Sequence, residues 1–166
     1  MTRRESREHC FKMLFSADFY PTAQEAKERL EGYVNGPEED ETGGDGQVVI
    51  LHKAELTEEE AGALRARVSA VMDRIPELDG LLDEAASGWK TRRMGKVELT
   101  VLRLALYEMK YDPSVPEKVA INEAVELAKK FGGNESPSFV NGILAKFARK
   151  EEAVPEKEPA DSGKQA

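Results

Sequence analysis

The sequence is short of nearly everything from which an enzyme or a metal centre is built. Among 166 residues there is one cysteine, Cys10, and two histidines, His9 and His52. A single thiol excludes an internal disulfide and fits a reducing cytoplasm. Neither histidine stands at ligand spacing from Cys10 or from the other, so no zinc site is expected. On a helix His9 and Cys10 point about 100° apart, and Cys10 lies on the apolar stripe, which makes it a buried structural thiol rather than a nucleophile. No phosphate-binding or dinucleotide-binding glycine motif occurs. The acidic stretch at 35–47 has no register with acids at alternate positions and a closing glutamate, so it is not a calcium loop. No cofactor is implied, and no constellation supports catalysis. No run approaches the roughly 20 apolar residues of a membrane span, and charges, Gly or Pro interrupt every candidate signal-peptide core. A cytoplasmic protein without a membrane partner is expected.

The formal net charge is −8, but the acidic excess is local. Between residues 37 and 60 stand Glu38, Glu39, Asp40, Glu41, Asp45, Glu55, Glu58, Glu59 and Glu60, against Lys53 alone. The window WKTRRMGK, 89–96, holds Lys90, Arg92, Arg93 and Lys96 with no acid. A polyanion or an acidic protein responds to such a patch rather than to the sum.

Helical punctuation is frequent. Cys10, Met13, Leu14 and Ala17 recur at spacings of three and four, predicting a helix from Arg3 to Phe19 that Pro21 ends. Thr22 with Glu25, and Thr57 with Glu60, read as capping boxes opening further helices. Between them NGPEEDETGGDGQ, 35–47, reads as a loop, and VVILH, 48–52, fits either strand or helical turn. Leu64, Val68, Val71, Met72 and Ile75 make a stripe, and Pro76 suits a following first turn. VELTVLRLALYEMKY predicts a central buried helix. The next runs from Glu117 to Phe131 and stops at Gly132-Gly133. Ser136-Pro137 opens the last, expected to reach about Lys150, with Gly142 at a close helix contact. Residues 151–166 lack apolar residues to bury and read as a disordered acidic tail. The sum is an all-α bundle of about seven helices in one domain, 1–150, with 35–47 as an acidic insertion.

Binding is better represented than chemistry. On a helical wheel Arg4, Phe11 and Phe15 fall together with Arg7 beside them, at the margin of the stripe centred near Cys10 and Leu14. Arginines beside an accessible ring suit single-stranded RNA, with charge for phosphate and a flat face for an unstacked base. Trp89 reads as a packing anchor amid the basic window. Arg103 and Glu108, inside the central helix, predict a structural polar network.

The segments VELTVLRLALYEMKY, VPEKVAINEAVELAKKFG and SPSFVNGILAKFAR, in this order and at these separations, resemble the NusB family of bacterial transcription antitermination factors. The resemblance covers about residues 2–20 and 60–150. It implies two three-helix-type subdomains packed perpendicular to one another, and no catalysis. It also implies binding of single-stranded boxA RNA of ribosomal RNA operons with the ribosomal protein NusE, within the antitermination complex of RNA polymerase. The family's basic arm falls on Arg3, Arg4 and Arg7, and its first-helix aromatic, often tyrosine, on Phe15. A second RNA-facing region falls on Glu135 to Phe139, including Ser136. The Val97-Glu98 step lies where partner and RNA surfaces meet; from the residues themselves, Glu98 and the cations Arg92, Arg93 and Lys96 of the basic window are expected to bind the partner. Glu5 interrupts the arginines, and Ser138 stands where lysine is frequent. A monomer and a homodimer both fit, and the alternative reading is a homodimeric or NusE-binding scaffold with little RNA affinity of its own.

Overall fold

The computed structural model describes residues 1–35, 38–42, 48–53, 56–86 and 90–148. Trp89 and the acidic tail lie outside them, and of the residues 34, 35, 38–42 and 48–53 only the backbone is described. These residues form seven helices, a single 3-10 turn and one hairpin, and the chain divides into two compact units, Met1–Ala70 and Val71–Ala166.

The first unit holds α1 (Arg3–Ala17), α2 (Ala23–Asn35), a two-stranded hairpin and most of α3 (Glu58–Asp73). Each of the three helices starts on a threonine whose hydroxyl oxygen accepts a backbone N–H three residues on. Thr2 accepts from Glu5 at 3.0 Å, Thr22 from Glu25 at 3.1 Å and Thr57 from Glu60 at 3.1 Å. At Thr2 and Thr57 the glutamate returns the bond, accepting the threonine N–H at 2.7 and 3.1 Å, so both boxes close. The Met1 ammonium lies 3.2 Å from the Glu60 carboxylate and ties the chain start to the head of α3. Cys10, Met13, Leu14 and Ala17 are buried with Ala26, Leu30, Leu64 and Val68. The His9 ring and the Tyr33 hydroxyl share a hydrogen bond of 2.6 Å that joins α1 to α2.

The stretch read as a loop at 35–47 is in part a strand. β1 (Glu38–Thr42) pairs antiparallel with β2 (Val48–Lys53), with a register shift between Glu39 and Asp40. β2 resolves the ambiguity at 48–52 as strand: a short run rich in β-branched residues has found a partner strand in 38–42.

The second unit contains α4 (Ile75–Ala85), the 3-10 turn Thr91–Arg93, α5 (Lys96–Tyr111), α6 (Glu117–Phe131) and α7 (Ser136–Ala145). It thus has four full helices, one more than a three-helix subdomain. α5 is its centre. From Leu99 to Met109 every residue is buried, the polar Thr100, Arg103 and Glu108 among them. Arg103 is buried within it, its guanidinium donating through Nε to Asp79 Oδ1 at 2.8 Å and through Nη2 to Oδ2 at 2.7 Å. This two-pronged pair joins α5 to α4 and is the charge compensation that the buried arginine demands. At the head of α4, Arg74 lies over the Tyr111 ring, 4.3 Å from its centroid, and donates to Glu77 at 3.1 Å. The Tyr111 hydroxyl also donates to Glu77 and, as the largest cause, holds that carboxyl below its ordinary range. α7 ends at Ala145, short of Lys150, and Gly142 is exposed with open space where a Cβ would stand. Its helical spacing is as expected, but it marks no close contact.

Candidate nucleic-acid interface

Two surfaces gather the residues singled out above, one in each unit. On α1, Arg3 and Arg4 are exposed at the helix head. Glu5, which looked like an interruption of the basic run, is the capping-box residue. The Thr2 backbone N–H lowers its pKa, with the Thr2 hydroxyl adding to the effect. The helix start gives an acid a role there that is independent of what the surface binds.

Arg7 departs from the expected solvent-facing edge. It is only 8% exposed. It shares the spacing of Cys10, Leu14 and Ala17, three, four and three residues apart, so the backbone turns it onto the buried stripe, where its long aliphatic stem packs. Phe11 is also buried, at 3%. Phe15 is half-buried, stacked on Phe11 with centroids 5.9 Å apart and an interplanar angle of 27°. Beyond it stands a ring that the sequence reading passed over. Phe19 meets Phe15 edge-on at 5.3 Å and 70° and stays 62% exposed. The one signal for it was the four-residue step from Phe15 to Phe19 across the helix end.

In the second unit the basic turn meets the start of α7. Asp83 of α4 accepts the Thr91 N–H at 2.6 Å, and its carbonyl accepts from Lys90 Nζ at 3.3 Å, which fixes the turn. Arg92, Arg93 and Lys96 project exposed from it and from the head of α5. Arg93, Glu98, Asn134, Glu135, Ser136 and Phe139 line a groove of about 480 Å³. Arg93 and Glu98, expected to bind the partner, and Glu135, Ser136 and Phe139, expected to face RNA, thus share one groove. Arg92 and Lys96 do not line it.

Ser136 is a joint rather than a surface contact. It is 5% exposed, accepts the Gly133 N–H at 3.1 Å and donates its hydroxyl to Glu98 Oε2. Gly132 makes this possible. A Cβ there would stand 2.6 Å from Ser136 Oγ, 2.7 Å from Ser136 Cβ and 2.9 Å from the Ala128 carbonyl oxygen. The Glu98 carboxylate, half-buried at the third position of α5, is thereby turned toward α7. Among the described residues no three His, Cys, Asp or Glu side chains gather as a metal site. No described helix is long and apolar enough to cross a membrane.

Comparison with known proteins agrees over nearly the whole chain. The NusB family profile matches residues 4–149. The transcription antitermination protein NusB of Agathobacter rectalis is 44% identical over 150 residues, spanning 89% of this chain and all of that protein. The solved structure of T. maritima NusB superposes with a TM-score of 0.69 at 26% identity, covering 88% of this chain and 89% of that one. An antitermination-factor structure of NusB and NusE in complex with dsRNA shares the fold at 21% identity, with a TM-score of 0.63 over 87% of this chain and 93% of that one. In sequence and in its all-α fold, the chain belongs to the NusB family and is a transcription antitermination factor rather than an enzyme.

Proposed function

We propose that the protein binds single-stranded boxA RNA of ribosomal RNA operons together with NusE, in the cytoplasm, and so keeps RNA polymerase processive within the antitermination complex. The observation that carries this reading is the head of α1, where exposed Arg3 and Arg4 lead into the half-buried ring of Phe15. Cations at the helix head and a flat apolar face about three turns along the same helix suit a strand whose phosphates and unstacked bases are both accessible. Arg3 and Arg4 take phosphates and Phe15 a base, while Arg7 supports the helix from beneath. The groove lined by Arg93, Glu98, Glu135 and Phe139 serves NusE.

A second reading is favoured by the groove itself, where Glu98 and Glu135 offset Arg93. In that case the protein is a scaffold that binds NusE, or a second copy of itself, with little RNA affinity. A gel shift with boxA RNA, with and without NusE, separates the two. The parent should shift RNA, and the Arg3→Ala/Arg4→Ala variant should bind more weakly, with a salt dependence flattened by about 1.4 in log–log slope for two phosphate contacts. An unchanged affinity and slope in that variant would show the assignment to be wrong. Absence of any shift in both parent lanes supports the scaffold, and sedimentation at two concentrations then tells NusE binding from self-association.

A further inference from the structure

The geometry points to Phe19 as a second base-stacking platform, which extends the α1 surface past the end of the helix toward α2. Large apolar side chains are seldom left this open. Among the described residues only Met1, Phe19 and Val119 are exposed large hydrophobics, and Phe19, at 62%, is the only aromatic of them. Its orientation is set by the edge-on contact with Phe15, which is itself stacked on Phe11. Three rings therefore form a ladder that begins in the core and ends in solvent. The backbone holds the last rung too, since the Phe19 N–H donates to the Ser16 carbonyl at 3.2 Å.

The charges nearby fit a nucleic-acid strand. Arg3 and Arg4 are exposed at one end of the ridge, about 23 Å from Phe19 at the rise of an α-helix. At the other end Tyr20 follows Phe19 directly, and exposed Arg29 of α2 lies over the Tyr20 ring, 5.3 Å from its centroid. An aromatic face with cations at both ends matches an unstacked base between two phosphate-bearing stretches. Asp18 and Glu28 lie close in sequence and temper the field, so stacking rather than charge supplies the attraction at this rung.

A plainer role also exists for an apolar residue here. Position 19 is the first beyond the Asp18 cap, and contact with the residue four back is a common way to close a helix end. Leucine serves that purpose as well as phenylalanine, and this gives the test its discrimination.

The assignment rests on the RNA-binding reading above. The experiment measures fluorescence anisotropy of labelled single-stranded boxA RNA against the full chain, with and without NusE, for the parent, Phe19→Ala, Phe19→Leu and Phe19→Trp. Alanine and leucine should each weaken RNA binding by between about fivefold and about a hundredfold, the range for losing one base–aromatic stack. Tryptophan should retain affinity, and the salt slope should stay that of the parent, because no phosphate contact is lost. If Phe19→Leu binds as the parent does, Phe19 only closes the helix and the inference fails while RNA binding by the protein stands. If Phe19→Ala loses NusE but keeps RNA, the ring docks protein and the inference also fails. A parent that binds no RNA overturns both this inference and the function proposed above.

Discussion

Replacing Gly132 with alanine tests the joint between α5 and α7 most directly. The backbone at Gly132 has φ −103° and ψ −176°, an extended conformation open to any residue, so the substitution carries no torsional strain. Its cost is steric. The added methyl would stand 2.6 and 2.7 Å from the two side-chain atoms of Ser136 and 2.9 Å from a backbone oxygen of α6. Carbon atoms prefer separations of about 3.5–4.0 Å, so both α7 and the end of α6 must shift. Overpacking of this kind costs about 1–3 kcal/mol. Against it stands a gain of about 0.4–1 kcal/mol from restricting the unfolded chain. The net expectation is a loss of about 1–2 kcal/mol, or about 2–8 °C in Tm by calorimetry. Adding Ser136→Ala in the same chain should not restore the parent's stability, because the Cβ at 136 remains in the way and the bonds from the Gly133 N–H and to Glu98 are lost. A Gly132→Ala variant as stable as the parent would refute the packing argument.

The Arg103–Asp79 pair should show the asymmetry of buried charge. Asp79→Ala strands a guanidinium that is 9% exposed and should cost about 2–4 kcal/mol in urea unfolding, below the full value because Asp79 is partly open to water. Arg103→Met with Asp79→Leu should fall within about 1 kcal/mol of the parent, and a double variant as unstable as the single would show that packing rather than charge dominates. Glu5 gives a pH signature. Its folded pKa is lowered by the Thr2 N–H, so its contribution is present above the ordinary carboxylate range and is lost as pH falls through the folded value. The Tm difference between the parent and Glu5→Gln should therefore be largest near neutrality and shrink toward pH 3, and a constant difference would sink the capping account.

Much of the helical frame was legible because its signals are local. A threonine accepts an N–H three residues on, a proline fits only the first turn, and Gly132 stops a helix. Each of these acts within a few residues, and Thr2, Thr22, Thr57, Pro76 and Gly132 all stand where such rules put them. The hairpin was missed because pairing of Glu38–Thr42 depends on a partner strand that composition cannot supply, and acid-rich sequence ordinarily stays in loops. Arg7 was read as an edge residue because its charge outweighed its angle, which falls between those of the buried Leu14 and Phe11. Ser136 and Glu98 lie in separate helices, and their bond could not be read from spacing at all. The α1 surface was half visible. Phe15 was found by its angle, and Phe19, outside the regular helix, was not.

The Ser136 joint also constrains which sequences this groove can accept. Residue 132 must be small enough to admit a side chain at 136, residue 136 must donate a hydrogen bond, and residue 98 must accept one. Changing any one alters what the other two can be. Without the hydroxyl, the Glu98 carboxylate would lose the donor that turns it toward α7. The three positions should therefore vary as a set, and substituting them together offers a way to tune the sign of the groove.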